Sequence, residues 1–187
     1  MRGALFAAHK RRIIFQGKLV IILLLILGLA VFFDLRSRRI PNVLVAAGLP
    51  AGFILAAVAN GLDGLLGSLA GAGIGIGVFL PFFVFRLIGA GDVKLFGVVG
   101  AFVGQAHIFQ VLLYSLIAGG VVGVGALLLS GNTGRALHNF RVFFVSVVLR
   151  MQHEVMPLSE LAAQSAVRIP YALAIAAGVL VWLGLNP

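Results

Sequence analysis

The 187-residue chain contains only five carboxylates, Asp34, Asp63, Asp92, Glu154 and Glu160. Two of them lie in segments whose composition suits a reactive site: Asp34-Leu35-Arg36-Ser37-Arg38-Arg39-Ile40-Pro41-Asn42 and Gly89-Ala90-Gly91-Asp92-Val93-Lys94. Each segment puts one acid at the boundary of a long apolar run, and a carboxylate near hydrocarbon is costly and commonly functional. Two carboxylates brought together resist ionising at the same time, so one keeps its proton while the other serves as a base. Such a pair can activate water for attack on a peptide carbonyl. The glycines ahead of Asp92 let a neighbouring backbone, or an extended substrate, approach the acid. Taken singly, each acid also has a structural reading. Asp34 could end its helix at the interface and pair with Arg36, and Asp92 could cap the helix that follows. Asp63, in the cluster Asn60-Gly61-Leu62-Asp63-Gly64, reads as a turn or helix-cap residue.

Other chemistries find little support. The absence of cysteine excludes a disulfide framework, a thiolate zinc site and a cysteine nucleophile. His9, His107, His138 and His153 are dispersed and lack the i, i+4 spacing of a helical metal site, so neither metal nor cofactor is expected. Ser37 and Ser115 have no evident base beside them. Lys94 is placed either to tune Asp92 or to bind a substrate carboxylate, with a plain positive-side anchor as the alternative. Arg36, Arg38 and Arg39 face the same choice between an acidic substrate residue and lipid phosphates. Pro41 and Asn42 are expected to shape the entry to the next helix.

The elements that must position these residues follow from composition. The chain is 61% hydrophobic and 10% charged, with a mean hydropathy of +1.17, whereas soluble domains are about half apolar and about a quarter charged. It therefore reads as an all-α integral membrane protein. The formal charge of +9 comes from 14 Lys and Arg scattered between apolar runs, a pattern of topology and headgroup contact and not of nucleic-acid binding. Six transmembrane helices are expected, at about Leu19–Phe33, Val43–Ala59, Leu65–Leu87, Val93–Val103, Ile108–Leu129 and Ile169–Leu185. The first is not read as a cleaved signal, because Asp34 and three arginines follow it directly. Gly67, Gly71, Gly73, Gly75 and Gly77 in the third helix read as packing residues that admit a close neighbour. Residues 1–18 form a basic N-terminal tail, residues 130–168 a polar connection with an amphipathic Phe140–Leu149 stretch before the last span, and the whole is one domain.

With six spans, nine basic residues (Arg36, Arg38, Arg39, Arg86, Lys94, Arg135, Arg141, Arg150 and Arg168) fall on one face. The opposite connections at 60–64 and 104–107 carry none. Both acids then lie on the cytosolic side, although the basic tail, with Arg2, Lys10, Arg11, Arg12 and Lys18, counts against that orientation.

The pairing of D-x-x-x-x-x-I-P-N at Asp34–Asn42 with G-x-G-D-x-K at Gly89–Lys94 resembles the type IV prepilin peptidases, a family of membrane aspartic proteases. The resemblance implies an inner-membrane enzyme that cleaves prepilin-like, single-helix substrates after a glycine at the cytosolic face, with Asp34 and Asp92 as the catalytic pair. Gly89, Gly91, Lys94, Arg36, Arg38 and Arg39 would then line the substrate site. The chain lacks the cysteine-bearing segment of the larger bifunctional members, so methyl transfer is not expected, and its compact form looks like the subfamily serving Flp-type, tight-adherence pili. Two other readings use the same acids. One is a presenilin-type intramembrane protease, which usually has a Tyr-Asp pair where this chain has Phe33-Asp34. The other is a transporter or channel subunit whose aspartates relay protons.

Overall fold

The computed structural model describes residues 2–84, 88–129 and 171–186, all of them in helices or in the short turns between helices. Among the described residues four helices follow in order: α1 (Arg2–Ser37), α2 (Asn42–Val84), α3 (Ala90–Leu129) and α4 (Tyr171–Leu185). Leu19–Ser37, Asn42–Val84 and Ala90–Gly125 are long and apolar enough to cross a membrane, and α4 is a shorter apolar helix. The protein is thus an all-helical membrane protein. The expected amphipathic stretch at 140–149, with the rest of the 130–168 connection, lies outside the described residues.

α1 differs from expectation at its start. The basic residues read as a separate tail belong to the same helix, which begins at Arg2 and runs for 36 residues, about 54 Å at 1.5 Å per residue. Hydropathy marks the part of a helix that suits lipid, and nothing in residues 2–18 is a proline that would stop the helix earlier. The far end has a clear stop. Arg38 adopts the left-handed conformation (φ 52°) and its N–H donates to the Asp34 carbonyl at 2.8 Å, a left-handed helix cap. The Ser37 hydroxyl donates to the Phe33 carbonyl at 2.8 Å.

α2 and α3 are each broken once, where the sequence placed turns. In α2 the break is at Asn60 (φ −134°, ψ 17°) and Gly61 (φ 63°, ψ −140°); in α3 it is at Gly104 (φ 71°, ψ 174°). A positive φ is strained for most residues and free for glycine. The packing partners reveal the directions. Gly71 lies against the backbone of Gly100, and Gly75 against the Phe96 carbonyl, so the second segment of α2 runs antiparallel to the first segment of α3. Gly48 meets Val98 and Gly52 meets Ala101, so the first segment of α2 runs parallel to that same stretch. Hence α2 folds back on itself at Asn60-Gly61. The second segment of α3 pairs antiparallel with α4: Gly119 lies against Ala174 and Gly178 against Ser115.

The centre is packed by Leu23, Leu27, Phe79, Leu95, Phe96, Val99, Ile108, Val111, Ile175 and Val179. On α1 the buried Leu23, Leu27 and Ala30 form one stripe, while Ile21, Leu25 and Leu29 are exposed on another. Both stripes are apolar, as expected where one faces protein and the other lipid. In that setting close fit, and not hydrophobicity, selects the contact face.

Candidate active site

The last turn of α1 carries Asp34, buried at 9% exposure, with a carboxylate oxygen accepting the Ala172 N–H at 3.2 Å. That amide belongs to the first turn of α4, where free N–H groups and the positive end of the helix dipole favour a carboxylate. Asp92 lies in the first turn of α3. Its N–H donates to the Gly89 carbonyl at 3.1 Å, and its carboxylate accepts the Gly89 N–H at 3.2 Å. The acid is therefore not the N-cap of α3 but sits inside its first turn, where its carboxylate reaches back to the Gly89 N–H at the helix start, as in a capping box.

Although 58 residues apart in sequence, the two acids lie at the same end of the bundle. Gly91, next to Asp92, packs against Ile40 of the turn that follows Asp34, and the Ala172 amide that holds Asp34 lies beside Tyr171 in the first turn of α4. Below them Phe79 stacks on Phe96 with ring centroids 4.0 Å apart, and Tyr171 meets the edge of Phe79 at 6.1 Å. This aromatic floor ties the second segment of α2, the start of α3 and the start of α4 together one turn from Asp92.

The remaining sequence candidates separate clearly. Gly89 supplies the amide that holds Asp92, and the open side of its Cα points at the Asp92 carboxylate, 3.1 Å from where a Cβ would sit. Gly91 lies against Ile40, whose Cβ is 3.2 Å from the same construction. Lys94 donates from Nζ to Asn42 Oδ1 at 2.9 Å. Arg36, Arg38 and Arg39 are exposed around the Asp34 turn. Asp63 is exposed just after the α2 break, at the other end of the bundle. His107 also lies at that end, with its ring 5.3 Å from Trp182, while Trp182 donates to Gln110 at 3.2 Å. Ser115 is fully buried against Gly178. Among the described residues no three potential metal ligands come together.

Sequence reasoning missed Ala172 and Tyr171. The available signal was Pro170, which opens the last apolar run on the side that the topology assigns to both acids.

A family model described as the type IV leader peptidase family matches residues 21–124. The chain belongs to this family. The matched region contains both acids and both turns that hold them. The chain is also similar to a prepilin leader peptidase/N-methyltransferase of Myxococcus xanthus (strain DK1622), with 32% identity over 151 residues, covering 74% of this chain and 44% of the relative. The chain thus aligns with less than half the length of that curated relative. No solved structure matches it.

Proposed function

We propose that the protein is an aspartic endopeptidase that removes the leader of prepilin-like precursors, cutting after a glycine at the cytosolic face of the inner membrane. The observation that supports this reading is that Asp34 and Asp92 lie at the same end of the bundle, each fixed by a backbone amide of a different element. In the proposed reaction one carboxyl is protonated and donates to the scissile carbonyl oxygen, while the other is ionised and takes a proton from water. The water oxygen bonds to the carbonyl carbon. The C–N bond then breaks as the new amine takes up a proton, and the pair returns to its single-proton state.

The bilayer arrangement belongs to the same proposal. α2 and α3 each cross twice, around their breaks, and with α1 and α4 make six spans. The nine basic residues of the connections set the acid-bearing end toward the cytosol. The substrate helix docks laterally against the lipid-facing side and leaves its leader at the interface. Membership of the leader peptidase family favours this reading over a presenilin-type protease or a proton-relaying subunit. The proposal is confined to peptide cleavage; the second activity in the name of the Myxococcus protein is not extended to this chain.

The test is purified protein in liposomes, given a precursor with a short basic leader, a glycine before the apolar helix and an early glutamate, with the products read by mass. Cleavage after the glycine is the expected result. Cutting inside the apolar helix, or no cutting at all, refutes the proposal.

A further inference from the structure

We propose that Lys94 and Asn42, together with Ile40 and Gly91, form a clamp that sets the spacing of Asp34 and Asp92, which makes Lys94 a positioning residue and not a substrate anchor. The inference rests on the peptidase reading for its kinetic consequence, but its structural content stands apart from it.

Each acid is rigid within its own motif. From Asp34 onward the chain is bonded at both ends of the connection: the Arg38 N–H donates to the Asp34 carbonyl at 2.8 Å, and the Leu44 N–H donates to the Pro41 carbonyl at 3.1 Å. Asp92 is locked to Gly89 by its own N–H and by its carboxylate. Between these two rigid pieces the covalent path is the whole of α2, 43 residues long. Packing through Ala172 and the aromatic floor brings the two pieces to the same end of the bundle, and contacts made directly from one motif to the other set their fine spacing.

Among the described residues, two contacts of this kind flank Asp92. One residue before it, Gly91 lies against Ile40, with no room for a side chain to slip between them. Two residues after it, the Lys94 ammonium donates to Asn42 at 2.9 Å. Ile40 and Asn42 sit on either side of Pro41, so both rungs grip the short link into α2. Lys94 and Asn42 are exposed, so their bond adds little to overall stability. Catalysis is far more sensitive: a misplacement of about 1 Å can cost roughly a hundredfold in rate. The signature of the clamp is therefore a loss in kcat from a contact that barely affects folding.

Lys94→Met, Asn42→Ala and the double variant, compared as full-length protein in liposomes on the glycine-containing precursor, separate the two roles. A clamp predicts that each single variant loses about 10–100-fold in kcat with KM changed by no more than about twofold, and that the double variant is no worse than the worse single. A raised KM for Lys94→Met, with Asn42→Ala unaffected, overturns the clamp in favour of substrate anchoring; losses that multiply in the double variant also overturn it. A second readout needs no activity. The chain has no cysteine, and a Cβ added at Gly91 would lie 3.2 Å from that of Ile40, so an outward shift of a few tenths of an ångström reaches the roughly 3.5–4.5 Å of a disulfide. Because Ile40→Cys removes the Cγ1 and Cδ1 atoms that crowd Gly91, Ile40→Cys/Gly91→Cys should oxidise to a single cross-link, and adding Lys94→Met should slow that oxidation at least threefold. An unchanged oxidation rate overturns the clamp. If Lys94→Met slows the cross-link while the unmodified protein leaves the precursor uncut, the peptidase reading fails and the clamp stands.

Discussion

Replacing either acid by asparagine isolates its proton chemistry, because the structure shows what asparagine keeps. At Asp34 the side-chain oxygen that accepts the Ala172 N–H at 3.2 Å is replaced by an amide oxygen that can accept the same bond. At Asp92 the oxygen bonded to the Gly89 N–H at 3.2 Å is preserved in the same way. Exchanging a charged for a neutral acceptor weakens one bond by about 1 kcal/mol. Asp34→Asn and Asp92→Asn should therefore insert and melt within a few degrees of the unmodified protein. Alanine would be a poorer choice, since at Asp34 it would leave a buried amide unpaired at a cost of about 1–3 kcal/mol. Losing the base or the acid removes proton transfer altogether, which is worth about 10²–10⁴-fold in rate, or roughly 3–5 kcal/mol of transition-state stabilisation at 1.36 kcal/mol per tenfold. Initial rates of precursor cleavage in liposomes, normalised to inserted protein, measure this directly. Asp63→Asn, exposed at the other end of the bundle, should stay within about twofold, the range of a surface change away from the site. A rate above about a tenth of the unmodified enzyme in either asparagine variant at matched insertion is incompatible with the pair.

Gly71→Ala should lower the melting temperature in detergent, because its methyl group lands on the backbone of Gly100 and Gly104 and overpacking of this kind costs about 1–3 kcal/mol; Gly77→Ala, with open space around it, should be neutral or slightly stabilising. Equal melting temperatures for the two would contradict the helix register. A precursor with leucine in place of its glycine should be cut at least about a hundredfold more slowly, the cost of a backbone held about 1 Å too far from the acids, and equal rates would show that the site is not backbone-tight. Since the acids activate water themselves in the proposed reaction, EDTA should leave turnover unchanged, and a loss reversed by a divalent cation would refute that chemistry.

What the sequence revealed and what it concealed divide along a physical line. The breaks at Asn60-Gly61 and Gly104 were legible because each glycine sits beside polar residues, Asn60 and Asp63 in one case and Gln105 and His107 in the other, that interrupt an otherwise apolar run. Asp34 and Asp92 were legible for a similar reason, since a carboxylate beside lipid is expensive enough to imply a purpose. The start of α1 was not, because hydropathy reports where lipid is tolerated while helix formation continues through basic residues. Nor was the amide of Ala172, 138 residues from the acid it holds: every residue but proline has an N–H, and only packing selects one. The glycines of α2 could be recognised as contact residues, yet their spacing of four fits several registers, and the pairing of Gly71 with Gly100 is fixed by the surfaces of both helices. Lys94 shows the limit most directly. A cation two residues from an acid suggests an electrostatic partner, but its ammonium reaches an amide oxygen on a different helix. Reactive groups are few and betray themselves by type, whereas the groups that aim them are ordinary residues identified only by where the fold puts them. A site of this kind therefore yields its chemistry to sequence and its geometry to structure.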